Sequence, residues 1–330
     1  MSKFTDAANT SHTHSVVAME EASRVGQRTA DIDHLFIALV LSEQAAGQAL
    51  RSLGITLESA RQAVADQHAE QLATLGVHAV VPEPGRIVFH ETDGYEWGER
   101  AAELIKRANE RGKGGDAAAV LRELVVESSG MIEVVLDRLG TTPEAVIARL
   151  DEAERHRSRR PREATRSNAL SGVSEVFVPA SVEQVWELLA TPSRMPEWEP
   201  SIGSVERTPT AARVGDTWVA LARSERPDGK QIPVKSGFAR QQVELRALDM
   251  PRLVEWRVTY PEAQLANARC LRVELEPVAG GTQLRLSFAW ERDPSRPSRA
   301  FLGLVLRPVH RFVLWMQLSQ LGSSISRVFR

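Results

Sequence analysis

The chain of 330 residues is 42% hydrophobic and 25% charged, with a formal net charge of −2. This composition is typical of a globular protein and excludes a disordered or fibrous chain, and the length suits two domains that each bury a core. The single cysteine, Cys270, excludes an internal disulfide framework and indicates a reducing, cytoplasmic setting.

The apolar runs predict neither a leader nor a membrane span. The first residues, Met1 to Asp6, contain no apolar run, so we expect no signal peptide. The most apolar stretch, 301–321, is interrupted by Arg307, Pro308 and Arg311, which makes it too polar to cross a bilayer.

Charge is divided unevenly between the two halves. Residues 1–150 hold 14 Lys and Arg against 22 Asp and Glu, a net charge of −8, whereas residues 151–330 hold 27 against 21, a net charge of +6. A basic half can attract nucleic acid or an acidic membrane surface. We interpret both halves as ordinary solvated surfaces and do not expect a nucleic-acid partner.

Helical spacing dominates the first half of the chain, and strands are hard to place there. Leu53-Gly54 closes one helix, and Thr56 is positioned to cap the next. Leu139-Gly140 followed by Thr142-Pro143 repeats this arrangement, with proline at the first helical position.

The repetition predicts an internal duplication. The segment 34–39 aligns with 119–124 at an offset of 85, and Leu53-Gly54 aligns with Leu139-Gly140 at an offset of 86. We therefore expect an all-α domain over residues 1–150. It would contain two repeats of about four helices each, at about 4–68 and 86–150, packed as a pseudo-twofold pair.

A polar segment, 151–172, separates the two halves. It contains six arginines and few apolar residues, so it cannot form a core, although its first part could extend the preceding helix. We interpret it as a solvated linker. The alternative is that its arginines contact RNA or acidic lipid.

Beyond the linker the apolar period changes to two, which predicts strands. Ser181 is positioned to cap a short helix from Val182 to Leu189, and a long helix from about Ser298 to Phe329 ends the chain, with a kink expected at Pro308. This order predicts an α+β domain over 173–330, with a curved antiparallel sheet around the last helix. The predicted strands are 173–178, 203–208, 214–223, 233–248, 252–260, 268–277 and 281–291.

The first half resembles the N-terminal double repeat of Clp unfoldases, especially the ClpC type. The matching residues are Glu20-Glu21-Ala22, Asp33-His34-Leu35 and Leu50-x-x-Leu53-Gly54-Ile55, and the resemblance covers about residues 4–150. In that family this domain docks substrates and adaptor proteins, and some members bind phosphoarginine. The resemblance thus implies a peptide or protein partner of the Clp system, phosphoarginine, or a cyclic peptide.

The resemblance places a phosphoarginine site at Thr5, Asp33 and His34 in the first repeat. The second repeat has Ala117-Ala118-Ala119 in the matching position, so no carboxylate remains there to meet a guanidinium. Phe4-Thr5 lies about three residues upstream of the family pattern. The alternative role of Asp33 is to cap its helix.

The motor of a Clp unfoldase is missing from the sequence. A phosphate-binding loop requires Gly-x-x-x-x-Gly-Lys-Ser/Thr. The two Gly-Lys pairs, Gly112-Lys113 and Gly229-Lys230, are followed by Gly114 and Gln231 rather than by a hydroxyl residue. We therefore expect neither ATP binding nor ATP hydrolysis.

The second half resembles the START-like (SRPBCC) superfamily, which includes polyketide cyclases, aromatases, plant lipid-binding proteins and co-chaperones. The matching segments are 178–186, 195–200 and 214–218, together with the long final helix. The resemblance implies a helix-grip fold with a cavity for a hydrophobic small molecule. We expect tryptophans to line that cavity, with core packing as the alternative; the candidates are Trp198, Trp218, Trp256, Trp290 and Trp315.

Catalysis is poorly supported by the residues of the second half. His310 and Tyr260 are the possible imidazole and phenol, and Glu197, Glu255 and Glu274 cannot be placed from sequence. We expect no cofactor and no metal, and we interpret His12 and His14 as surface residues.

Three functions remain open from the sequence. We prefer a binding protein without ATPase activity, a sensor, adaptor or decoy related to Clp proteolysis whose barrel holds an apolar molecule. The alternatives are a cyclase or aromatase-type enzyme and a co-chaperone-like module that binds client proteins.

Overall fold

The computed structural model describes residues 3–76, 85, 87, 94–110, 113–159, 170–206, 212–226, 229–263, 265–291 and 307–330, without the side chains of 3–13, 157–159, 170 and 307–311. The chain divides into two compact units, residues 1–162 and 163–330. The predicted linker, 151–172, overlaps a helix that continues to Arg159 and a strand that begins at Leu170. Residues 160–169 lie outside the described residues.

The described part of the N-terminal unit forms eight helices and one small parallel sheet. The sheet pairs β1 (Thr29–Ala30) with β2 (Glu96–Trp97), and it was not expected from the sequence because each strand has only two residues. The helices are α1 (Lys3–Arg24), α2 (Ile32–Val40), α3 (Ala45–Ser52), α4 (Leu57–Thr74), α5 (Glu99–Ala108), α6 (Ala117–Val125), α7 (Met131–Arg138) and α8 (Pro143–Arg159).

Helix caps explain where these helices begin. Thr56 caps α4 through its hydroxyl, which accepts from the Ser59 amide at 3.1 Å, as predicted. Asp31 caps α2, and its own amide donates to the His34 ring, which completes a capping box. The expectation that Asp33 caps this helix is therefore wrong, because Asp31 occupies the cap position.

The two halves of the helical unit match in position and packing. Helices α2 and α6 begin 85 residues apart, and α3 with α7 and α4 with α8 begin 86 residues apart. Gly54 and Gly140 both follow a helix in the left-handed conformation, with φ of 81° and 72°. Helix α3 packs on α8, and α4 packs on α7, so the contacts are reciprocal. This arrangement supports the proposed duplication.

The C-terminal unit is built on a seven-stranded antiparallel sheet with the order β3-β9-β8-β7-β6-β5-β4. The prediction of a helical domain followed by an antiparallel α+β domain is thus confirmed. Strand β6 begins at Arg240 rather than at 233, since Pro233 lacks a backbone donor and a 3₁₀ turn occupies Ser236–Phe238. The strands are β3 (Leu170–Val178), β4 (Ile202–Glu206), β5 (Thr217–Ala222), β6 (Arg240–Asp249), β7 (Leu253–Thr259), β8 (Ala268–Val278) and β9 (Gly281–Glu291).

The helices of this unit lie on one face of the sheet. They are α9 (Val182–Ala190), α10 (Met195–Trp198) and α11 (Arg307–Arg327). Ser181 caps α9 in a capping box with Gln184, as predicted. Helix α11 packs on β3 and β9; its predicted start near Ser298 falls outside the described residues. Among the helices that the structure describes, none combines the length and apolar character needed to cross a bilayer.

Candidate functional site

The helix-facing side of the sheet is apolar over most of its area. The side chains of Val254, Trp256 and Val258 alternate with half-buried neighbours along β7 and are buried in the core that this face of the sheet forms with the helices. Residues two positions apart on a strand share a face. Gln241, Tyr260 and Arg269 therefore lie on this same face, two residues from Val243, Val258 and Leu271 respectively.

These polar side chains meet Glu199 and Ser201, which precede β4, in what we call the Arg269 cluster: Glu199, Ser201, Gln241, Tyr260 and Arg269. Arg269 Nη2 donates to Ser201 Oγ at 3.0 Å and to Gln241 Oε1 at 3.2 Å. Its Nη1 lies 3.7 Å from Glu199 Oε1, and the two side chains are only 14% and 13% exposed. The cluster is therefore a largely buried ion pair that carries no net charge.

Tyr260 completes the cluster through its ring. The ring centroid lies 5.8 Å from Arg269 Cζ and 4.9 Å from the ring of Phe238. Burial raises the pKa of Tyr260, against the lowering effect of the Arg269 charge. The phenol is therefore neutral at pH 7, a state that suits hydrogen-bond donation rather than proton abstraction.

Three of the five predicted tryptophans lie in the core beside this cluster. Trp198 and Trp256 are 1% exposed and Trp218 is 5% exposed. Trp256 Nε1 donates to Leu189 O at 3.1 Å, and its ring meets that of Trp218 edge to face at 5.3 Å. In contrast, the indole nitrogens of Trp198 and Trp218 are buried without a hydrogen-bond acceptor among the described residues.

The other two predicted tryptophans are placed differently. Trp290 lies near the end of β9, where it packs against the edge of the core and meets Phe288 edge to face at 6.1 Å. Trp315 is half-buried on α11 and stacks at 5.7 Å on Phe312, which is exposed. The five side chains therefore do not converge on one point.

A cavity of about 170 Å³ lies beside Trp218. Sites for drug-sized ligands usually measure about 300–1,000 Å³, so this cavity has room for one ring or one part of a larger molecule. Its walls come from β5, β6 and the turn after β7: Thr217, Trp218, Val219, Arg240, Gln241, Gln242, Pro261 and Glu262.

The carboxylates that sequence alone could not place lie away from the Arg269 cluster. Glu197 forms a bidentate pair with Arg194, and Glu255 and Glu274 both pair with Arg272. The side chains of His12 and His310 lie outside the described residues. The expectation that His14 lies at the surface is wrong, because His14 is buried, with 5% of the residue exposed. Within the described ranges, no three His, Cys, Asp or Glu residues are grouped so that they could hold a metal.

In the N-terminal unit, Asp33 lies in a buried cluster with two imidazoles. Its side chain is 7% exposed. Oδ1 accepts from the His34 amide at 2.8 Å and lies 2.8 Å from His34 Nδ1, while Oδ2 lies 3.2 Å from His68 Nε2. Burial alone would raise the pKa of Asp33, but its interactions with His34 and His68 hold that pKa well below its ordinary value. The side chain of Thr5 lies outside the described residues.

Comparison with known proteins identifies the C-terminal unit. Residues 170–314 match the family model described as polyketide cyclase / dehydrase and lipid transport. This unit contains a domain of that family. The START-like prediction is thereby confirmed for the C-terminal half, at the level of the family. The matched range begins at residue 170, so the resemblance of residues 4–150 to Clp domains stays a prediction.

Several solved structures are similar to this polyketide cyclase / lipid transport domain. Protein CV1439 from Chromobacterium violaceum is 18% identical, with 47% of this chain and 96% of that chain covered and a TM-score of 0.31. SA2116 from Staphylococcus aureus is 13% identical, with 50% and 96% covered and a TM-score of 0.37. The Polyketide_cyc-like protein Cgl2372 from Corynebacterium glutamicum is 17% identical, with 49% and 91% covered and a TM-score of 0.33. The search of curated proteins found no match.

Sequence reasoning missed Ser201, Gln241 and Arg269 in the polyketide cyclase / lipid transport domain. The alternation of apolar residues along the strands indicated two of them, because Gln241 and Arg269 lie two positions from the buried residues Val243 and Leu271 and so share their face of the sheet. A polar side chain on the buried face of a strand needs a hydrogen-bond partner. Ser201, which accepts a hydrogen bond from Arg269, lies in a loop. A loop has no alternating pattern of apolar residues that would indicate which way the Ser201 side chain points.

Proposed function

We propose that the C-terminal unit binds an apolar small molecule between the sheet and the helices, with one polar end of the molecule against the Arg269 cluster. The observation that supports this most directly is the cluster itself. A buried ion pair is costly to desolvate and is rarely better for stability than apolar packing, so its place on an apolar face favours a role in recognition. Family membership at 170–314 supports the same function.

The proposal is tested by looking for a bound molecule in the full chain. Native mass spectrometry of the purified protein should show an added apolar compound, and N-phenyl-1-naphthylamine should bind and quench tryptophan fluorescence. Arg269→Met should reduce recovery of the compound. Arg272→Met is the matched control because it lies on the same strand, three residues on, with 45% of its side chain exposed. Absence of any bound compound, together with no binding of the probe, would contradict the proposal.

A second candidate function is catalysis of the cyclase or aromatase type on the same bound molecule. A neutral phenol at Tyr260 beside the Arg269 guanidinium favours it, since both groups can polarise a carbonyl oxygen. Incubation of the recovered compound with fresh protein separates the two functions. A change in its mass that Tyr260→Phe abolishes indicates an enzyme, and an unchanged compound indicates a carrier or sensor.

For the N-terminal unit we propose peptide or protein recognition related to Clp proteolysis, as an adaptor or decoy. The resemblance of residues 4–150 supports this, as does the matched placement of the helices in the two repeats. For phosphoarginine, however, a guanidinium would have to displace His68 from Asp33. Calorimetry with phosphoarginine should give one site per chain in the wild type and none in Asp33→Asn. Two sites, or unchanged binding in the variant, would place recognition elsewhere.

A further inference from the structure

Helix α11 exposes apolar side chains on the side that faces away from the core. Leu314, Leu318 and Leu321 are buried in the core of the C-terminal unit. On the opposite side of the helix, Phe312 is 59% exposed and Met316 is 39% exposed. These two residues are four positions apart, so they are neighbours on one side of the helix.

Trp315 extends this apolar surface. The residue is half-buried, and its ring lies 5.7 Å from the ring of Phe312 at an angle of 38°. Single exposed apolar residues are common on protein surfaces, whereas adjoining ones mark a place of contact with another molecule. We call Phe312, Trp315 and Met316 the α11 patch.

The stretch of chain that contains the α11 patch is strongly basic. Residues 294–330 include six arginines and neither aspartate nor glutamate, a net charge of +6, whereas residues 151–293 contain 21 Lys and Arg and 21 Asp and Glu. The whole positive excess of the C-terminal half therefore lies in 294–330. Its attraction for an acidic surface extends over about 8 Å in physiological salt, so the arginines need not belong to the patch itself.

This charge decides between the partners that could cover the α11 patch. A second copy of the chain would bring two stretches of charge +6 together across a twofold interface, which is unfavourable. A specific protein partner usually covers about 20–30 residues on each side, but the patch has three, and Gln320 follows them on the same side of the helix. An acidic lipid surface fits both features, because it accepts a few apolar side chains and attracts positive charge.

We infer that α11 docks the protein on the surface of a membrane that contains acidic phospholipids. Phe312 and Met316 enter the boundary between headgroups and acyl chains, and Trp315 lies at the level of the headgroups, as aromatic residues prefer. The contact is peripheral, since no helix in the described part of the chain is long and apolar enough to cross a bilayer. This inference does not depend on the ligand proposed for the core.

The test uses the full chain and two kinds of vesicle, one of phosphatidylcholine alone and one of phosphatidylcholine and phosphatidylglycerol in equal amounts. In flotation experiments the protein should bind the acidic vesicles about tenfold or more tightly than the neutral ones. Added salt should weaken this binding, because it screens the attraction between the arginines and the lipid headgroups. Tryptophan emission should shift to shorter wavelength as Trp315 leaves water.

Replacement of the two exposed side chains identifies the surface that binds. The double variant Phe312→Ser and Met316→Ser should bind acidic vesicles about tenfold or more weakly. Leu265→Ser is the matched control, because Leu265 is 85% exposed and lies on the turn between β7 and β8 rather than on α11. Circular dichroism checks that each variant folds, and Met316→Gln is a milder second variant that keeps the contact between Phe312 and Trp315.

Four results would overturn the inference. They are absence of binding to acidic vesicles, equal binding to the two kinds of vesicle, unchanged binding in both α11 variants, and equal loss of binding in Leu265→Ser. A dimer in sedimentation experiments that the double variant abolishes would assign the α11 patch to a second copy of the chain. Displacement of the protein from a labelled RNA by the same substitutions, without an effect on vesicle binding, would assign it to nucleic acid.

Discussion

His68 Nε2 lies 3.2 Å from Asp33 Oδ2 and so joins α4 to α2 inside the first half of the helical unit. The hydrogen bond to Asp33 raises the pKa of His68, against the lowering effect of its partial burial and of the nearby Arg100 charge. The two groups stabilise each other most while His68 is protonated and Asp33 is ionised, because only then is the hydrogen bond also an ion pair. The pair therefore makes the stability of this unit depend on pH.

We predict that this stabilisation is lost as the pH rises. A group with a raised pKa in the folded state contributes fully below its unfolded pKa, about 6.5 for histidine, and loses its contribution as the pH passes the folded value. His68→Gln should therefore lower the free energy of unfolding by about 1 kcal/mol near pH 6, a figure reduced for the 38% exposure of His68. Well above the folded pKa, the difference between the variant and the wild type should shrink by this charge-dependent contribution.

Urea unfolding of the full chain, followed by far-UV circular dichroism, measures this difference. Asp33 has a lowered pKa, so its own contribution is lost on the acid side, below about pH 4. Asp33→Asn is the control, because it removes the charge and should return the NMR titration of His68 toward the ordinary value. A His68 midpoint at or below about 6.5 in the wild type would contradict the prediction.

Gly98 brings the start of α5 against the cap of α2. A Cβ atom at Gly98 would lie 2.9 Å from Asp31 Cγ, and Asp31 also pairs with Arg100 at 2.6 Å. Gly98→Ala should therefore destabilise the protein by about 1–3 kcal/mol, the usual cost of overpacking. Gly85→Ala is the matched control, since among the described residues its added Cβ would meet only Arg24 O, at 3.7 Å. Equal melting temperatures for both variants would show that the backbone before α5 can shift to accommodate the added methyl group without loss of stability.

Gly322 allows α11 to approach β3 closely. A Cβ atom at Gly322 would overlap Val176 Cγ2 on that strand, so Gly322→Ala should destabilise the C-terminal unit by about 1–3 kcal/mol. Val176→Ala makes room for the added methyl group. The double variant should therefore be less destabilised than the two single variants would predict together, by at least about 0.5 kcal/mol in a double-mutant cycle. Strictly additive effects would show that the two residues do not meet.

The sequence predicted the helices and strands well where apolar residues recur regularly and a capping residue precedes the helix. Residues Thr56 and Ser181 were placed correctly as caps because a hydroxyl before an apolar run satisfies the free amides of the first turn. The cap of α2 was misjudged, since Asp31 and Asp33 both precede the run and only the structure shows which carboxylate reaches the free amides. Local patterns thus locate a helix start to within two residues.

The candidate sites were harder to predict because they depend on contacts distant in sequence. The Asp33–His68 pair spans 35 positions and the Arg269–Ser201 contact spans 68, so no local pattern indicates either. The sequence led us to expect tryptophans that line a cavity, with core packing as the alternative. Trp256 packs in the core and donates to Leu189 O. Of the five predicted tryptophans, Trp218 is the one among the residues that line the cavity of about 170 Å³.

Cys270 is buried on β8 opposite Arg257 of β7, and its thiol hydrogen-bonds to the Glu291 carboxylate. Burial, followed by that carboxylate, raises the pKa of Cys270 to about 12. A thiolate is the species that reacts with disulfide reagents, so at pH 8 the folded protein should react about a thousandfold more slowly than the unfolded chain.

Glu291→Gln removes the negative charge beside Cys270 and should speed the reaction without unfolding the sheet. Glu276→Gln, on the same strand as Cys270, should leave the rate unchanged. The rate of colour release from Ellman's reagent measures the reaction of each protein. Rapid labelling of the folded wild type would show that the Cys270 thiol is not protected by burial and by the Glu291 carboxylate.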